Sequence, residues 1–191
     1  MLISHAAARV CAVLCLIAIS LPASAEEKQG LGRLLRASTK APTAIEEGLV
    51  ARACGTRGKA LGKKVESGPG RFNLYDTAPG STAARDFYVT GFKDGCPRRI
   101  TGAVAMFGSV ELYELVHYGP VGVKPDSDTT DKAYAKLRAK VCGGETRPCS
   151  DRGIRRLEKS AAFLNVYKSK QGSARLELLM TRGNLTAVAQ K

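Results

Sequence analysis

Histidine is nearly absent from this chain: only His5 and His117 occur in 191 residues, and there is no tryptophan. Several familiar signatures are missing as well. No C-x-x-C pair exists, which argues against a zinc cluster or a thioredoxin-like redox centre, since both place their cysteines at that spacing. No G-x-S-x-G elbow presents a nucleophilic serine. The stretch CGTRGKALGKK, 54 to 64, has the glycines and lysines of a phosphate loop. However, Lys64 stands where Ser or Thr is required and Arg57 where the first glycine belongs, so it reads as a basic connector. There is no apolar run of membrane-spanning length, and no internal repeat.

What is present begins with MLISHAAARVCAVLCLIAISLPASAEE. Arg9 precedes an apolar run from Val10 to Leu21, and Pro22 and the triplet Ala23-Ser24-Ala25 follow. This predicts a secretory signal, residues 1–25, cleaved before Glu26. Neither Cys11 nor Cys15 has the setting of a lipidated cysteine. The leader lacks a twin-arginine pair, which points to export unfolded and without a cofactor. The expected location is periplasmic or secreted.

Cleavage leaves Cys54, Cys96, Cys142 and Cys149, an even number bound for an oxidising compartment, so two disulfides are expected. Four cysteines allow three connectivities. The local pair Cys142–Cys149 is preferred because Gly143, Gly144 and Pro148 let VCGGETRPCS turn back on itself, which leaves Cys54 to Cys96. Zinc would also want more histidine than His117 alone. Neither metal nor cofactor is expected.

Charge is lopsided. Lys and Arg number 30 against 17 Asp and Glu, a net +13, or about +12 once Arg9 is removed. If charge matters to function, the partner is anionic: an envelope component such as an acidic glycan or lipid headgroup, or an acidic protein. Export argues against nucleic acid. The alternative is that the charge only keeps the protein soluble.

Residues 26–41 form a basic N-terminal segment in which Leu31, Leu34 and Leu35 share one helical face. Residues 42–191 read as a single domain. Thr43 and Glu46 have capping-box spacing and predict a helix over 43–54. Strands are predicted at 71–76 and 86–93. Asp94-Gly95 then turns the chain into a third strand, 99–107. For 109–118 the stripe Leu112, Leu115, Val116 favours helix over strand. A helix rich in Asp at its start and lined by Ala133, Leu137 and Val141 ends at Gly143-Gly144. A short helix over 151–160 turns Ile154 and Leu157 inward, and three β segments, 161–168, 174–182 and 185–190, close the chain. The order implies α+β: an antiparallel sheet of about five or six strands with helices packed on one face. Profilin-like and PAS-like folds have a comparable order, an analogy of fold that carries no function.

Two sets of residues carry functional expectations. His117 is the sole histidine of the mature chain, so a small secreted hydrolase of the Ser-His-Asp or Cys-His kind would have to use it. Lys132, Lys136 and Lys140 form an i, i+4 row, and Arg147, Arg152, Arg155 and Arg156 flank the cysteine loop. Such cations suit phosphate or carboxylate groups. The sequence therefore points first to a non-enzymatic binding module of the cell envelope. A hydrolase and a purely structural envelope protein stand as alternatives.

Overall fold

Antiparallel strands make up both sheets of the computed structural model, which describes residues 49–120, 122–125, 128–143 and 148–191. β1 (Ala51–Arg52), β2 (Lys63–Ser67), β3 (Asn73–Asp76), β4 (Arg85–Thr90) and β5 (Arg98–Gly102) form one sheet in the order β1-β5-β4-β3-β2. β6 (Val104–Gly108), β7 (Ala161–Tyr167), β8 (Arg175–Thr181) and β9 (Asn184–Gln190) form a second sheet in chain order. Helices α1 (Val110–Tyr118), α2 (Thr129–Cys142) and α3 (Asp151–Ser160) occupy the interval between β6 and β7. The class is α+β. The expected leader and the segment 26–41 lie outside the described residues.

The second sheet is the middle of three layers. Ala162, Leu164 and Val166 of β7 and Leu176, Leu178 and Met180 of β8 pack against Leu74, Phe87, Val89 and Ile100 of the first sheet. The intervening residues Ala161, Phe163 and Leu179, with Ala187 of β9, meet Val110, Tyr113, Tyr134 and Leu157 of the helices. Because side chains alternate across a strand, a strand covered on both faces must be apolar at nearly every position, and AAFLNVY and LELLM are. A register shift opposite Leu179 and Met180 lets Leu185 and Val188, an odd number of positions apart, pack toward the same core.

The strand expected over 99–107 is divided between the two sheets. At Gly102 a Cβ would fall 2.5 Å from Val166 Cγ1 and 2.9 Å from the Tyr167 carbonyl oxygen, so only glycine lets the chain cross there. The Ala103 amide donates to Tyr167 at 2.8 Å and fixes the crossing. The single sheet expected from six segments is in this way two sheets of nine strands among the described residues. The helix expected over 43–54 is also corrected. Its first half lies outside the described residues, but Ala51–Arg52 is a strand paired with Arg98 and Arg99, and Val50 is fully buried. Pairing and core burial outweigh a local capping pattern.

Arg85 braces the crossing from beneath. Its guanidinium bonds Asp76 at 2.7 and 2.6 Å and the Ala103 carbonyl at 2.6 Å. The Arg85 hydrogen bonds hold the Asp76 carboxyl below its ordinary range, against the opposing effect of burial, and the Ala78 amide assists. A carboxyl depressed in the folded state contributes stability above its unfolded pKa, about 4, and that contribution is lost as pH falls through the folded value. The expected result is a stability that falls below about pH 4, with a shallower acid limb in Asp76→Asn. Urea midpoints measured across pH check this, and parallel acid limbs would refute it.

Candidate functional site

Each helix starts on a side-chain cap. Ser109, Asp128 and Ser150 accept from the amides of Leu112, Asp131 and Gly153. Helix over 110–118 is as expected, yet its orientation reverses the expected stripe. Leu112, Leu115 and Val116 are exposed, whereas Val110, Tyr113 and Glu114 are buried. The cause is a polar layer between α1 and α2. Glu114 accepts from Tyr134 Oη at 2.7 Å, from Arg138 Nε at 2.9 Å and from the Cys149 amide at 3.0 Å. Tyr113 Oη donates to Asp131 at 2.5 Å. Burial, and then these carboxylate partners, push both tyrosine hydroxyls far above their ordinary pKa, so they remain donors.

The two disulfides are Cys54–Cys96 and Cys142–Cys149, the pairing preferred from spacing. The two ends of VCGGETRPCS are therefore tied together through Cys142 and Cys149, and Glu114 holds Cys149 through its amide. No helix among the described residues is long and apolar enough to cross a membrane. Together these features are compatible with an extracellular or periplasmic location.

Part of the positive charge is paired within the chain. Arg52, Arg85, Arg98, Arg99, Arg138 and Arg175 each approach a carboxylate. Lys191 lies 2.9 Å from Asp128, 3.0 Å from Asp131 and 3.5 Å from Glu177. Burial would lower the Lys191 ammonium pKa, but the hydrogen bonds to Asp128 and Asp131 and the charge of Glu177 outweigh it and raise it.

Other cations gather in a concavity that holds no acid. A groove of about 570 Å³ runs between α2 and the β8–β9 hairpin. Lys132, Lys136 and Lys140 of α2 and Arg182 of the hairpin line it, with Ala133, Leu137 and Ala187 as apolar lining. Thr181 and Thr186 line it too, their hydroxyls 2.6 Å apart. No acidic residue lines the groove, and among the described residues none of its four cations meets a carboxylate. No protein-family model, curated protein or solved structure matches the chain. The groove must be read on its chemistry alone: it can hold anionic groups against a partly apolar wall.

The expected basic cluster is therefore divided. Lys132, Lys136 and Lys140 come together, but Arg152, Arg155 and Arg156 are exposed on α3 and line neither this groove nor its neighbour at Arg182. Arg147 lies outside the described residues. The predicted segments 174–182 and 185–190 leave Gly183-Asn184 for the turn and put Arg182 in a strand, which assigns Arg182 no role of its own. The turn sits instead at Arg182-Gly183, with Thr181 paired to Asn184.

His117 has a structural position. Its Nδ1 lies 2.9 Å from the Val123 carbonyl, and its ring packs against Tyr113 with centroids 4.3 Å apart. Ser109 lines the same 280 Å³ hollow, but its hydroxyl oxygen caps α1. Glu114, a neighbour that could have oriented the imidazole, is committed to α2 and the cysteine loop. Among the described residues no serine, cysteine or carboxylate hydrogen-bonds His117, so the set required for nucleophilic catalysis is not assembled around it.

Proposed function

We propose that this chain is a non-enzymatic binding module of the cell envelope, periplasmic or secreted, and that the groove between α2 and the β8–β9 hairpin holds its anionic partner. The observation carrying this reading is the convergence of cations on one acid-free concavity. Lys132, Lys136, Lys140 and Arg182 converge on a concavity without an acid, whereas the cations of α3, Arg152, Arg155 and Arg156, stand exposed on a helix surface and line no such groove. Four cations brought together repel one another, and a bound anion relieves that repulsion. A solubility charge needs no such convergence, since scattered lysines serve as well.

The test compares Lys132→Gln/Lys136→Gln/Lys140→Gln with Arg152→Gln/Arg155→Gln/Arg156→Gln, both removing equal charge. On immobilised polygalacturonate in a salt series, each groove lysine should contribute about 1 kcal/mol, so the α2 variant should bind roughly 100-fold more weakly. The α3 variant should lose far less. Equal losses in the two would make the effect one of net charge, and no salt-sensitive retention of the unaltered chain would remove the anionic partner.

A further inference from the structure

Arg182 is the only non-glycine residue with positive φ among the described residues, at 48°. It occupies the first central position of a two-residue hairpin turn, and Gly183 follows at 79°. Such a turn favours Asn, Asp or Gly at that position, because a Cβ is strained in the left-handed region. The turn alone gives no reason for arginine.

The turn is held from two sides. The Arg182 amide donates to the Ser160 carbonyl at the end of α3, at 3.2 Å. The Lys93 amide donates to the Gly183 carbonyl at 2.8 Å. A Cβ on Gly183 would come within 2.9 Å of Lys93 Cγ. This close approach brings the β4–β5 connection against the hairpin, and a second groove of about 430 Å³ opens there. Arg71, Lys93, Lys159 and Arg182 line it, and again no acidic residue does. Arg182 is the residue common to both grooves.

Resting on the reading of the α2 groove as an anion site, we propose that the two grooves form one track for a linear acidic polysaccharide, which passes from α2 to the Lys93–Lys159 corner across Arg182. Three features select this ligand class. The α2 lysines repeat every four residues, about 6 Å along the helix, a ladder that matches charges repeated along a chain better than one headgroup. The cations line concavities, which a flat bilayer cannot enter. Thr181 and Thr186 share one hydroxyl contact, yet their oxygens retain acceptor capacity for sugar hydroxyls, and Ala133, Leu137 and Ala187 offer an apolar surface to a sugar ring. The arginine at the turn supplies a forked donor where the chain must change direction, held in place by backbone bonds instead of by side-chain order.

Titration of the full chain with oligogalacturonates of graded length tests this. Affinity should rise with length along the α2 groove and rise again once the oligomer can reach past Arg182 to Lys93 and Lys159. Arg182→Asn should melt no lower than the unaltered protein, bind short oligomers about fivefold more weakly and lose the second rise. Lys93→Gln, which leaves the turn untouched, should reduce only the second rise. If both variants keep the second rise, the track is wrong while the α2 site stands, provided that the triple lysine variant still loses binding. If the triple variant also binds as before, both readings fail together. Salt-sensitive binding to phosphatidylglycerol vesicles, without binding to any oligomer, would assign the surface to a membrane and overturn the polysaccharide.

Discussion

Glu114→Ala should destabilise the fold by about 3–5 kcal/mol, the usual cost of removing one partner of a buried ion pair. Glu114 is fully buried and Arg138 nearly so, and the carboxylate gathers Tyr134 Oη, Arg138 Nε and the Cys149 amide. Its loss withdraws a charge from beside a buried guanidinium and an acceptor from two further donors. Glu114→Gln retains a carbonyl oxygen for one or two of these donors and should cost less. Urea denaturation of the oxidised protein gives both values. A loss below about 1 kcal/mol for Glu114→Ala would mean that water replaces the carboxylate and that the layer is not sealed. The same variant should also weaken the setting of the Cys142–Cys149 bridge, because the Cys149 amide is bound to Glu114 of α1. Earlier reduction of Cys142–Cys149 than in the unaltered protein would show this.

Replacing Cys54 and Cys96 by serine should cost about 4 kcal/mol, and replacing Cys142 and Cys149 about 2 kcal/mol, since loop-closure entropy grows with the closed length. The separations are 42 and seven residues. Structure adds a reason for the larger value. β1 has two residues at the edge of the first sheet, and the Cys54–Cys96 bridge fastens it beside β5 with Val50 buried behind it. Without the bridge a two-residue strand has little to hold it, and Val50 is exposed when it frays. Denaturation midpoints of the two double variants decide the matter. A larger loss from the short loop would show that Glu114 anchoring matters more than chain entropy.

Much of the local structure was legible in the residues. The Asp-rich start of α2, its stop at Gly143, the Asp94-Gly95 turn and the local Cys142–Cys149 bridge follow from spacing and from turn chemistry, and Cys54–Cys96 is then the pair left over. The first four each depend on neighbours a few residues apart, which is the range over which a sequence speaks plainly. The α2 lysine row was legible for the same reason, as a helical i, i+4 pattern. The orientation of α1 was not. An apolar stripe ordinarily faces inward, and here Leu112, Leu115 and Val116 face out because Glu114 and Tyr113 find partners on α2 that only folding brings near. Nothing in VELYELVHY announces Arg138 or Asp131.

Sequence by itself therefore determined the class, the three helices between β6 and β7, the cysteine pairing preference and the basic character of α2, because these rest on short-range periodicity, on capping and on net charge. Tertiary structure alone decided that the strand after Pro97 divides between two sheets, since Gly102 is needed only where Val166 and Tyr167 press against it. It also decided which cations share a site. Lys132 and Arg182 are far apart in the chain, and they meet because β9 returns beside β8 and packs under α2. Charge convergence is a property of that packing, and no count of lysines along the chain contains it.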